Sequence, residues 1–65
     1  MNEIIIKRLK ESEGKTITIF LQNNFRYTGK CKGVDDSYVE LLDYKTDKIM
    51  IFEISQIKSM EIEND

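Results

Sequence analysis

The chain has 65 residues, of which 40% are hydrophobic and 34% charged, and this balance excludes an intrinsically disordered protein. A domain of this length buries little apolar surface, and it has neither a disulfide nor a metal cage to compensate, because Cys31 is the only cysteine and histidine is absent. Oligomerisation is the remaining source of stability. The formal net charge of -2 excludes a general electrostatic field for nucleic acid, so any such contact must be a local patch.

The first predicted element is an amphipathic helix over about residues 2–13. Asn2 can cap its N-terminus, and Gly14 is a natural stop. The apolar residues that share one stripe are Ile5, Ile6 and Leu9. We expect this helix to lie across an open end of a sheet.

Alternation with a period of two then predicts a hairpin of two strands. One face of the first strand carries Ile17, Ile19 and Leu21, and the other carries Thr16, Thr18 and Phe20. Residues 22–24 (QNN) tolerate left-handed backbone and form the turn, after which alternation resumes at Phe25. Gly29 and Gly33 in the second strand predict a sharp bend or the close approach of another backbone.

Three further strands follow in the prediction. Residues 35–37 form a turn before a third strand at 38–42, and a polar turn at 44–48 precedes the apolar run 49–54. That run is apolar on both parities, as in a strand buried on two sides, which is easiest at a subunit contact. Residues 57–62 form the last strand before a frayed acidic end. We therefore predict one domain over residues 1–65, mainly β, with a helix and a strongly bent five-stranded antiparallel sheet.

This order of features resembles the first Sm motif of the Sm/LSm proteins and, more closely, the pattern of bacterial-type Hfq. The resemblance is carried by residues 19–23 (IFLQN), Gly29, residues 33–35 (GVD) and residues 39–42 (VELL). It implies an Sm-like, SH3-like barrel of five strands with an N-terminal helix. It also implies a homo-oligomeric ring of six or seven subunits, hexamer or heptamer, in which the fourth strand of one subunit pairs with the fifth of the next.

The sequence shows no recognisable catalytic, cofactor or metal site. There is no histidine, Cys31 is embedded in a strand, and there is no glycine-rich phosphate loop. Asp35 and Asp36 are adjacent carboxylates of the kind that usually serve a turn, and Cys31 is interpreted as a small core residue. We expect a protein that is not an enzyme and has no cofactor and no small-molecule substrate.

The aromatic side chains carry the functional prediction. Phe20 lies on the face opposite the predicted core, and Phe25 and Tyr27 lie together with Arg26 between them. Exposed rings beside a guanidinium hold single-stranded nucleic acid by stacking, although rings at these positions also serve to cover a barrel or pack between subunits. The Hfq resemblance favours binding, because it implies that Phe20, Phe25, Arg26 and Tyr27 line a purine-binding face.

The resemblance also implies a uridine-binding pore, which is incomplete in this chain. Tyr38 supplies the stacking ring if the turn at 35–37 has one residue more than that of Hfq; otherwise Ser37 takes the position and the stack is lost. Glu53 and Ile54 replace the basic pair of the family's second motif. We therefore predict that oligo-uridine binds weakly or not at all.

We predict a cytoplasmic ring that binds single-stranded, adenine-rich RNA. No apolar run approaches the length of a membrane span, and the first ten residues lack the features of a signal peptide, so no membrane partner is expected. The main alternative is a ring or SH3-like barrel that serves as a protein-interaction or assembly module without RNA binding. The acidic balance and the missing basic pair favour that alternative, and the aromatic face favours RNA.

Overall fold

One helix and five antiparallel strands make up the architecture of the chain. A computed structural model describes residues 3–63. The elements are α1 (Glu3–Glu11), β1 (Thr16–Leu21), β2 (Arg26–Val34), β3 (Tyr38–Asp43), β4 (Lys48–Glu53) and β5 (Ile57–Ile62), with a short 3-10 turn at Ile54–Gln56. The strands form a single sheet in the order β4-β3-β2-β1-β5. The predicted fold class is confirmed, whereas the predicted cap Asn2 and the end of the acidic tail lie outside the described residues.

The core lies on one face of the sheet and is completed by α1. Its buried apolar residues are Leu9, Ile17, Ile19, Leu21, Cys31, Val39, Leu41, Ile54 and Ile57. Burial alternates along β1 as its sequence predicts, because successive side chains of a strand point to opposite faces. Leu9 is the buried residue of α1, and Ile5 and Ile6 pack beside it. Within residues 3–63, no helix has the length and apolar character that crossing a bilayer requires.

Both strand glycines occupy positions where a side chain would meet a neighbour. A Cβ on Gly29 would lie 2.0 Å from the carbonyl oxygen of Leu42, so β2 and β3 approach too closely there for any other residue. Gly33 follows the shift of register between Cys31 and Gly33, an irregularity of the kind that bends a strand. The predicted close approach and the predicted irregularity in β2 are thus confirmed at two different glycines.

The two edge strands are open within this chain. β4 and β5 lie at opposite ends of the sheet and do not pair with each other. Ile49 and Ile51 on the outer side of β4 are 51% and 61% exposed, whereas Met50 and Phe52 on its inner side are half-buried. The sequence predicts that β4 is buried on two sides, but within this chain only its inner side is covered.

Candidate nucleic-acid interface

The turn between β1 and β2 presents Phe25 to solvent. The N–H of Leu21 donates to the Phe25 carbonyl at 2.8 Å, and the Asn24 N–H donates to the Leu21 carbonyl at 3.0 Å. Asn24 has a φ of 69°, which confirms the predicted left-handed turn, and the Asn23 side-chain oxygen accepts the Phe25 N–H at 3.0 Å. Phe25 consequently lies in the turn and not in the strand, and it is 60% exposed.

The pairing of β1 with β2 divides the predicted RNA-binding residues between the two faces of the sheet. Phe20 pairs with Arg26, and both lie on the outer face, by which we mean the face opposite the core. Tyr27 pairs with the buried Ile19 and lies on the core side. Its ring packs against Phe52 with centroids 4.9 Å apart and planes tilted by 41°. Tyr27 is therefore half-buried, and the predicted RNA-binding residues are divided between the two faces of the sheet.

Three of these residues nevertheless meet at one open groove. Phe25, Arg26 and Tyr27 line a concavity of about 720 Å³ between the β1–β2 hairpin and the β3–β4 turn, which we call the hairpin groove. Its other residues are Thr28, Asp43, Tyr44, Lys45, Thr46 and Met50. Phe20 is not part of this lining, although its cross-strand neighbour Arg26 is.

The β3–β4 turn forms the second wall of the groove and is held by its own hydrogen bonds. The carboxylate of Asp43 accepts the N–H of Thr46 at 3.0 Å and the Thr46 hydroxyl at 2.8 Å. The N–H of Tyr44 donates to the Thr28 carbonyl at 3.1 Å, and its hydroxyl lies 2.8 Å from that of Thr16. The sequence predicts only a polar turn here and does not identify Tyr44 and Lys45 as residues that line a groove. An aromatic ring inside a polar turn was the available signal.

The groove carries positive charge despite the acidic balance of the chain. Arg26 and Lys45 line it, and both residues are exposed. Among residues 3–63 the ion pairs are Arg8–Glu11 and Lys10–Asp36, so neither groove cation is neutralised by a carboxylate in this part of the chain. Three rings, those of Phe25, Tyr27 and Tyr44, and two cations that form no ion pair within residues 3–63 give the groove the means to stack bases and to attract phosphates.

Tyr38 lies elsewhere, at the opposite end of β3 from the groove. It is 49% exposed and pairs with Glu53 on β4. It lines a second hollow, together with Gly33, Val34, Asp35, Glu40 and Ile51. Glu53 forms no ion pair with Lys48 or Lys58 in the described chain. The structure thus places an exposed ring beside an exposed carboxylate at this end of the sheet.

The acidic pair next to Tyr38 serves the turn, as its sequence predicts. The carboxylate of Asp35 accepts the N–H groups of Ser37 and Tyr38, both at 2.7 Å. These two hydrogen bonds lower the pKa of Asp35, since they favour the charged carboxylate. Asp36 binds the Lys10 ammonium at 2.6 Å and thereby joins the turn to α1.

The described residues offer little to a metal ion or a nucleophilic mechanism. Cys31 is fully buried, and burial raises the pKa of its thiol, so the reactive thiolate is disfavoured. Residues 3–63 contain no group of three or more His, Cys, Asp and Glu side chains placed to hold a metal ion. The prediction of Cys31 as a small core residue is confirmed.

The helix, the five strands and their order define the Sm-like fold. The 1.55 Å crystal structure of the pleiotropic translational regulator Hfq has the same fold as this chain, with a TM-score of 0.77. The sequences are 22% identical, and the match covers 89% of this chain and 97% of that one. The resemblance found in the sequence is therefore confirmed for the fold. No protein-family model matches the chain, and no curated protein matches its sequence.

Proposed function

We propose that this protein binds single-stranded, adenine-rich RNA at the hairpin groove. The observation that carries the proposal is the meeting of three side chains on one concave surface. They are an exposed ring, Phe25, a partly open ring, Tyr27, and the cation Arg26, which forms no ion pair within residues 3–63. Bases stack on such rings, and a guanidinium adds cation–π and phosphate attraction. Hfq, which has the same fold, is a translational regulator, and the preference for adenine follows from the sequence resemblance.

The groove residues differ in what they contribute to binding. Phe25 supplies the open stacking surface, and Arg26 supplies the charge. Tyr27 packs against Phe52 and also lines the groove. Phe20 lies beside Arg26 on the outer face of the sheet. There it would contact an RNA strand that extends out of the groove. Tyr38 belongs to a separate position and is not needed for adenine binding.

The binding unit in this proposal is a cytoplasmic homo-oligomeric ring, a hexamer or heptamer. β4 and β5 each leave one edge unpaired, and Ile49 and Ile51 leave apolar surface beside the β4 edge. Pairing of β4 with β5 of the next subunit would satisfy both edges and cover that surface. A ring repeats the groove, so that weak contacts to one strand of RNA reinforce each other.

A second candidate function is an Sm-like assembly module that binds protein and not RNA. The net charge of -2 and the exposed Glu53 beside Tyr38 favour this alternative. Both features repel phosphate, whereas they are neutral toward a protein partner. The two candidates share the ring and differ in the ligand of the groove.

Titration of labelled oligo-adenylate, followed by fluorescence anisotropy, tests the proposal. Phe25→Ala should weaken binding about tenfold or more per ring. Arg26→Gln should weaken binding and flatten its salt dependence, because one phosphate contact is lost. The matched control is Lys7→Gln, which removes the same charge from α1 outside the groove and should bind as the parent does. If both groove variants bind oligo-adenylate as tightly as the parent, the groove residues do not bind RNA. If the parent itself does not bind, the assembly module is favoured.

A further inference from the structure

We propose that Tyr44 is a second base-stacking residue of the hairpin groove, with a base of single-stranded RNA as its ligand. This inference rests on the proposed function of the groove. Tyr44 is 56% exposed and is not among the residues that pack against the core, although both its backbone and its hydroxyl are held. An exposed ring that is fixed at both ends, and that the core does not need, is suited to a ligand.

Two hydrogen bonds determine how the ring lies. The Tyr44 N–H is bonded to Thr28 on β2, and the hydroxyl is bonded to Thr16 on β1. Paired strands lie about 4.8 Å apart, so the side chain must pass over the outer face of β2 to reach β1. The ring therefore lies over the outer face of the sheet, while the residue as a whole remains 56% exposed. This is the arrangement of a stacking platform.

The ring is also pre-organised by the turn from which it projects. Asp43 precedes Tyr44 and binds both the N–H and the hydroxyl of Thr46, and the Asp47 N–H donates to the Asp43 carbonyl at 2.8 Å. Immobilising a free side chain on binding costs affinity. Because Tyr44 is already held, a base that stacks on it loses less of the stacking free energy to ordering.

Positive charge near Tyr44 indicates what kind of aromatic ligand would stack there. Lys45 follows it in the turn, and Arg26 lines the same groove. Neither cation is paired with a carboxylate within residues 3–63. A base in a nucleic-acid strand has a phosphate on each side, so a ring flanked by such cations suits a nucleotide better than a neutral aromatic side chain. Phe25 and Tyr44 then give each subunit two open rings for successive bases.

Three variants separate stacking from the hydroxyl contact. Tyr44→Ala removes the ring, Tyr44→Phe removes only the hydroxyl, and Thr16→Val removes the partner hydroxyl and keeps the ring. With labelled oligo-adenylate, Tyr44→Ala should weaken binding about tenfold, whereas Tyr44→Phe and Thr16→Val should stay within about threefold of the parent. In the parent, the ring proton resonances of Tyr44 should move upfield on titration, since a stacked base shields them.

Each outcome decides a different part of the proposal. If the parent binds and Phe25→Ala weakens it, but Tyr44→Ala does not, the inference fails while the proposed function stands. If Tyr44→Phe loses as much affinity as Tyr44→Ala, the hydroxyl acts and stacking is refuted. If Tyr44→Ala does not fold, ring resonances that stay unmoved in the parent on titration refute the inference. If the parent binds no oligo-adenylate, the inference and the proposed function fail together.

Discussion

Tyr27 belongs both to the core and to the groove. Its ring packs on Phe52, and its pairing with Ile19 places it on the core side of β2. Loss of this ring would therefore weaken the fold as well as any RNA contact, at a cost of roughly 2 kcal/mol, below that of a fully buried aromatic. Phe25 lacks this second function because it lies in an exposed turn. Binding effects at Phe25 can consequently be interpreted without a correction for stability.

At the residue scale, Gly29 and Gly33 should differ sharply in their tolerance of a methyl group. Gly29→Ala should destabilise the fold by about 3 kcal/mol or more, because its Cβ would meet the backbone oxygen of Leu42 at 2.0 Å. Gly33→Ala is the matched control, since its Cβ would meet only the mobile carboxylate of Glu40, at 2.8 Å. Chemical denaturation measures both. Equal losses would show that backbone approach is not what requires glycine at position 29.

Asp35 predicts a pH dependence of stability. The N–H groups of Ser37 and Tyr38 lower its pKa in the fold, so the charged form contributes stability above the ordinary carboxyl pKa of about 3.9. This contribution is lost as the pH falls through the lower pKa of the folded state. Asp35→Asn keeps an acceptor oxygen and removes the charge, so its stability should fall less steeply than the parent's below about pH 4. A carboxyl titration midpoint of Asp35 at or above the ordinary value, measured by NMR, would contradict this account.

At the scale of elements, β4 should control assembly. Ile51→Lys places a charge in the exposed apolar surface of β4. The folded subunit can accommodate the new side chain, because its cross-strand neighbour on β3 is Glu40. We expect light scattering to give the mass of a ring for the parent and of a folded monomer for the variant. Ser55→Lys adds the same charge in the 3-10 turn and should leave the ring intact. A monomeric parent at micromolar concentration would refute the ring.

The fold could be predicted from the sequence because its signals are local. Strand alternation and the turn at residues 22–24 each act within a few residues of themselves. The groove could not be predicted in full, because Tyr44 meets Thr16 across 28 residues and Tyr27 turns toward Phe52 only once β4 is in place. Phe25 is a local exception. Period-two spacing predicts it at the start of the strand, whereas its N–H donates to the side-chain oxygen of Asn23 and the residue lies in the turn.

At the scale of the whole molecule, we predict that the ring binds oligo-uridine weakly or not at all. Glu53 lies beside Tyr38, and ring closure would repeat this carboxylate around one axis together with that of Asp35. Asp36 adds less than its position in the sequence suggests, because it is paired with Lys10. Negligible binding at low salt that appears with Glu53→Arg would support the prediction. Sub-micromolar affinity of the parent that falls with Tyr38→Ala would oppose it.

In the proposed function, RNA occupies the hairpin groove of an assembled ring. The most direct measurement is ultraviolet crosslinking of the parent protein to the RNA that co-purifies with it, with mass spectrometry of the crosslinked peptides and sequencing of the RNA. We predict adenine-rich RNA joined to residues 25–28 and to Tyr44 or Lys45, in a sample whose light-scattering mass is that of a hexamer or heptamer. Crosslinks confined to α1 or to the Tyr38 end of β3, or a ring that carries no RNA, would contradict the claim.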